Sequence, residues 1–157
     1  MSIEFGRDAL YIAKASQRKG GKAEGINYGF LCITHLTLYY VPKHVLSTKR
    51  TGILSDEYGI KEQKVKTYED MKFEEVIPEV AKEIKSKQDF DRFLTGMAED
   101  IEGSFMFPVS EIREYKISFF AQFTFSGNSG DQYQFSIGGK KHREAVKTFL
   151  KEQLGKS

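Results

Sequence analysis

The sequence predicts an α+β fold, an antiparallel sheet with helices set beside it rather than woven between parallel strands. Three observations predict it. Residues 115–137 alternate apolar and polar with a period of two, as only a strand does. Residues 90–101 and 145–154 instead repeat their apolar positions with the period of a helix. The order along the chain is strands, two helices, strands, final helix, which βαβ repeats do not produce. With 157 residues, 39% hydrophobic and 29% charged, the expectation is a single domain, 1–157, able to bury its own core. Thirteen Phe and eight Tyr with no Trp place the bulk of that core in aromatic rings.

Residues 9–16 read as a first strand and residues 17–25 as a charged, glycine-bearing loop. Residues 27–34 and 36–41 read as strands, rich in β-branched and aromatic types. Leu36, Leu38 and Tyr40 share a face in the second, and Pro42, which has no N–H for a ladder, ends it. Residues 43–67 are polar and carry no assignable period. Pro78 fits the first turn of a helix with Val80, Ala81 and Ile84 on one side. Ser86 and Asp89 have capping-box spacing, with Asp in place of the usual Glu. After them Phe90, Phe93, Leu94, Met97 and Ile101 form an apolar helical stripe, stopped by Gly103.

The strand period returns at residues 105–112 and continues through Tyr115, Ile117, Phe119, Ala121, Phe123 and Phe125 on one side. Gly127, Asn128, Ser129 and Gly130 make a hairpin turn, after which Tyr133, Phe135 and Ile137 resume the aromatic face. Residues 112–126 are long for one strand, so a bend or bulge is predicted near Lys116 to Phe120. Gly138 and Gly139 release the last strand. Ala145, Val146, Phe149, Leu150 and Leu154 then line one stripe of a C-terminal helix ended by Gly155.

Charge is unevenly placed. Residues 51–103 carry 8 Lys/Arg against 14 Asp/Glu, a net of −6, and the remaining chain carries 16 against 8, a net of +8. That pattern fits an acidic insertion, 51–103, in a basic body. Cys32 is alone, which excludes an internal disulfide and a Cys-paired metal site, and Leu31 and Ile33 beside it point to a buried thiol. The chain opens without a basic start and apolar run, and no apolar run nears the length of a membrane span. A cytoplasmic protein with no signal peptide and no transmembrane segment is expected.

The sequence also lacks the signatures of catalysis. It has no Gly-x-Ser-x-Gly, no Gly-rich Lys-Ser/Thr loop and no His-Glu-x-x-His. His35, His44 and His142 are scattered, so no metal site is expected, and nothing implies a cofactor. The polar face of the hairpin offers Gln122, Thr124, Gln132 and Gln134 without Arg or Lys, a poor nucleic-acid platform. The expectation is a protein that is not an enzyme.

Gly29, Leu31, Thr34, Leu38 and Tyr40, within GFLCITHLTLYY, form a strand–turn–strand pattern. The run from Phe107 to Ile112 couples an apolar-Pro pair to an acidic-Ile pair, and Gly130 to Phe135 is a glycine-turn strand with paired aromatics. Together these resemble GRAM domains and bacterial pleckstrin-homology-like domains. Thr37 departs from the basic residue frequent in that pattern. The resemblance spans roughly 9–44 and 104–154 and leaves 45–103 uncovered. It implies a bent antiparallel barrel of about seven strands with a C-terminal capping helix, interrupted by the two-helix insertion.

In such domains the loop after the first strand often holds anionic head groups. Here the resemblance points to Lys14, Arg18, Lys19 and Lys22, around Gly20 and Gly21. The Arg-x-Arg type pair of phosphoinositide binders has no counterpart, because residues 26–34 contain no Lys or Arg. The functional expectation is therefore a binding module that engages a protein or an anionic membrane or lipid surface through its loops, cytoplasmic or peripheral to the membrane. The alternative is a structural or assembly protein that forms a homo-oligomer through the insertion, with Phe90, Phe93 and Met97 as the contact. Against that stands the plainer role of the stripe as core filling, Met97 included.

Overall fold

The computed structural model describes residues 3–19, 22–23, 28–43, 54–118 and 122–154. Its strands are β1 (Ala9–Lys19), β2 (Lys22–Ala23), β3 (Gly29–Thr34), β4 (Thr37–Pro42), β5 (Phe105–Pro108), β6 (Glu114–Ile117), β7 (Gln122–Ser126) and β8 (Gln132–Ser136). Its helices are α1 (residues 54–58), α2 (Glu62–Asp70), α3 (Phe73–Glu83), α4 (Lys87–Asp100) and α5 (Lys140–Leu154). The sheet is antiparallel throughout, in the order β5-β4-β3-β1-β8-β7-β6, with β2 added to β1. The fold is α+β, with helices inserted between β4 and β5 and one helix at the C-terminal end.

β1 organises the sheet. Its first part pairs with β3, from Ala9↔Thr34 to Ala15↔Gly29, and its last part pairs with β8, from Ser16↔Ser136 to Arg18↔Gln134. The register slips between Ile12 and Ala15, the kind of irregularity that raises local twist. A strand that changes partners midway joins two half-sheets, and their inner faces close on one core. Leu31, Ile33, Leu38 and Tyr40 from one half meet Phe123, Phe125, Phe135 and Ile137 from the other. The Tyr40 and Phe135 rings lie 5.5 Å apart, centroid to centroid. Val146, Phe149 and Leu150 of α5 complete this cluster.

The opposite face of the same strands carries a second core. Phe30, Cys32, Tyr39 and Val41 point outward from β3 and β4 and are covered by Val76, Ile77 and Val80 of α3 and Phe90, Phe93 and Leu94 of α4. β3 is consequently buried at every residue. The insertion is a helical layer laid against the sheet.

Several boundaries differ from the sequence reading, each for a physical reason. Residues 17–19 are not loop: β1 runs on through them because β8 and β2 supply partners. Residues 112–126 do not form one bent strand. β6 and β7 are separate strands paired with each other from Glu114↔Ser126 to Ile117↔Phe123, so the predicted bend is a complete reversal. Phe119, Phe120 and Ala121 lie outside the described residues, as does Gly155. At residues 109–111 the chain leaves β5 in a single 3-10 turn. The cap at Ser86 is present, its hydroxyl accepting the Asp89 N–H at 3.0 Å. Leu36 does not share the buried face of Leu38 and Tyr40. It sits in the β3–β4 turn, 52% exposed.

Pro78 also stands elsewhere than predicted, in the interior of α3. A proline there offers no N–H to the carbonyl four residues back, which is that of Glu74. The Tyr11 hydroxyl of β1 donates to that carbonyl at 2.9 Å. The substitution Tyr11→Phe removes the donor and keeps the ring, so the carbonyl loses its partner at the helix–sheet contact. Urea unfolding is expected to show a loss of about 1–2 kcal/mol; an unchanged midpoint would mean that solvent satisfies the carbonyl equally well.

Candidate functional site

The hairpin register that pairs Gly29 with Pro42 sets Tyr28 beside Lys43, whose N–H donates to the Tyr28 carbonyl at 2.9 Å. Gly29 is required here, because a Cβ at that position would meet the Val41 carbonyl oxygen at 2.0 Å. The Tyr28 ring is half-buried, and two exposed lysines reach it from different elements. Lys43 Nζ lies 5.3 Å from the ring centroid, and Lys14 Nζ, from β1, lies 5.7 Å from it. The ring quadrupole draws both ammoniums inward, at about 0.5–1 kcal/mol each for exposed pairs.

The sequence-predicted basic residues are only partly assembled around this point. Lys14 belongs to it. Arg18 stands four residues further along β1, roughly 13 Å on an extended strand, half-buried and in register with Gln134 and Ala23. Lys19 and Lys22 face each other as backbone partners at the β1–β2 end, and their side chains lie outside the described residues, as do Gly20 and Gly21. Arg18, Lys19 and Lys22 are thus strand residues rather than members of a loop. Tyr28 and Lys43 were absent from the predicted set. The signal that could have found them is the strand register, which carries Lys43 to Tyr28 once Gly29 is set against Pro42.

A second polar cluster fastens the β3–β4 turn to α4. Asp91 is 6% exposed. Its Oδ1 accepts the Thr34 hydroxyl and, at 3.0 Å, the Tyr39 hydroxyl. Thr34 Oγ1 in turn accepts the N–H groups of Leu36 at 3.2 Å and Thr37 at 3.1 Å, which holds the turn closed. Tyr39 Oη also lies 2.9 Å from Thr95 Oγ1, and burial pushes its phenol well above the ordinary range. Asp91 Oδ2 and His35 Nδ1 stand 3.7 Å apart, each without a hydrogen-bond partner among the described residues. The arrangement is an anchor between a turn and a helix.

The partner-binding candidates Phe90, Phe93 and Met97 are 1%, 0% and 3% exposed, and they pack into the core between the insertion and the sheet. That face of α4 is occupied by the chain's own β-strands. His142 is half-buried, its Nδ1 near the carbonyls of Ile137 at 3.1 Å and Gly138 at 3.0 Å, while His44 lies outside the described residues. Among the described residues no helix is long and apolar enough to cross a membrane. No family model matches the chain, and neither does any curated protein.

Proposed function

We propose that the chain is a non-catalytic binding module, a pleckstrin-homology-like domain of GRAM type, that docks on an anionic membrane surface through its basic end. Support for the architecture comes from the element order: an N-terminal group of antiparallel strands, a helical insertion, four further strands and a closing helix around a shared inner core. The observation that carries the functional reading is the convergence of Lys14 and Lys43 on Tyr28. The residues outside 51–103 add a net charge of +8. Such a body is attracted to the negative potential of an anionic leaflet, and a tyrosine ring between two lysines suits the interface, where its apolar body and polar tip are both accommodated.

Each basic residue held near an anionic surface contributes about 1 kcal/mol, or about fivefold in affinity. Co-sedimentation with vesicles of phosphatidylcholine containing increasing phosphatidylserine is expected to show binding that rises with anionic lipid and falls with salt. Combining Lys14→Ala with Lys43→Ala is expected to weaken it about 25-fold. Both lysines are exposed, so the variant keeps its fold. Binding indifferent to phosphatidylserine, or to the double substitution, overturns the reading.

A further inference from the structure

We infer that a cleft in the helical layer is a separate binding site, for a small molecule carrying one anionic head group on an apolar body. The cleft has a volume of ≈ 510 Å³, within the range of roughly 300–1,000 Å³ that small-molecule sites occupy. It opens between the stretch joining α1 to α2 and the stretch joining α3 to α4. Ile60 and Ile84, 3% and 2% exposed, give it an apolar floor together with the Tyr58 ring. That ring is held in place, edge-on to Phe93 with centroids 6.1 Å apart and under the Arg92 guanidinium at 5.3 Å.

The rim decides the charge of the ligand. Lys61, Lys64 and Lys85 line it together with Glu83 and Asp89. Asp89 is taken by Arg92 at 3.0 Å, and Lys64 lies 3.6 Å from Glu79. Lys61 and Lys85, both exposed, remain against the single carboxylate of Glu83. An excess of positive charge over an apolar floor selects an anionic head group with a hydrocarbon or ring attached. Lys61 is also the N-cap position of α2, and no side chain caps that helix. Its first N–H groups add partial positive charge at the same rim, partly offset by the Glu62 carboxylate in the first turn. Carboxylate and phosphate-ester head groups share the required chemistry.

The test is a titration of the full chain, followed by amide chemical shifts, with hexanoate, hexyl phosphate and hexylammonium. The expected result is saturable shifts of the Gly59, Ile60, Lys61, Ile84 and Lys85 amides with at least one of the two anions and none with hexylammonium. The anion that saturates at lower concentration identifies the head group. Lys61→Glu with Lys85→Glu is expected to weaken that binding at least tenfold while the spectrum stays dispersed, and Lys14→Ala with Lys43→Ala to leave it unchanged. The last control separates this site from the membrane-facing end. Absence of saturation with both anions, equal response to hexylammonium, or indifference to the Lys61/Lys85 double variant overturns the inference.

Discussion

Phe93→Ala lowers the unfolding free energy by about 3–5 kcal/mol, and it does so for the whole chain rather than for the helical insertion alone. Phe93 is fully buried, set edge-on against Tyr58 and packed in the core that α3 and α4 form with the outer face of β3 and β4. Truncation removes a ring's worth of burial and leaves a cavity that a close-packed layer refills only in part. The residues that line it from the sheet side, Phe30, Cys32, Tyr39 and Val41, alternate along β3 and β4 with Leu31, Ile33, Leu38 and Tyr40, which build the inner core. Two cores that share two strands cannot loosen independently without breaking a ladder common to both. Urea unfolding followed by far-UV and near-UV circular dichroism is expected to give coincident transitions, shifted together. Phe125→Ala, in the inner core, is expected to shift the same transition by a similar amount. Two separated transitions, with only one moved by Phe93→Ala, would show that the insertion and the sheet are energetically independent.

The features legible in the sequence are those governed by one face of one element. The α4 stripe and the Ser86 cap follow from helical spacing alone, and the inward aromatics of β7 and β8 follow from alternation. Alternation could not distinguish one long strand from two, because Ile117 pairs with Phe123 and Tyr115 with Phe125. Odd positions face odd positions across the reversal, so the inward set continues through it without a change of parity. Pro78 misled because proline is common in the first turn of helices; its tolerance inside α3 comes from Tyr11, 63 residues distant from Glu74 in the chain. Of the candidate site, Lys14 was singled out by the family resemblance, as one of the cations after the first strand, whereas its convergence with Lys43 on Tyr28 depends on the register between β3 and β4. Asp91 was hidden for the same kind of reason, its partners Thr34 and Tyr39 lying 57 and 52 residues away.

Asp91→Ala is expected to cost about 1–3 kcal/mol, chiefly from the buried Thr34 hydroxyl deprived of its carboxylate acceptor, because the Tyr39 hydroxyl keeps the Asp91 backbone carbonyl at 3.1 Å and Thr95 Oγ1 at 2.9 Å. The loss should also be local in its first effect, because Asp91 is what holds the Thr34 hydroxyl, and Thr34 is what holds the Leu36 and Thr37 N–H groups. Hydrogen exchange at those two amides is therefore expected to accelerate more than global destabilisation accounts for. Asp91→Asn provides the discriminating comparison. An amide oxygen in place of Oδ1 still accepts from Thr34 and Tyr39, and its NH₂ group falls on the side of His35 Nδ1, the atom 3.7 Å from Oδ2 that lacks a partner. If hydrogen bonding to the turn is what Asp91 contributes, Asn retains most of the stability and the protection of Leu36 and Thr37. If the negative charge itself is required, Asn and Ala destabilise alike. Equal stability of Ala and wild type would remove the carboxylate anchor, leaving α4 held on the sheet by its apolar stripe and by the Tyr39 hydroxyl's bonds to the Asp91 carbonyl and Thr95.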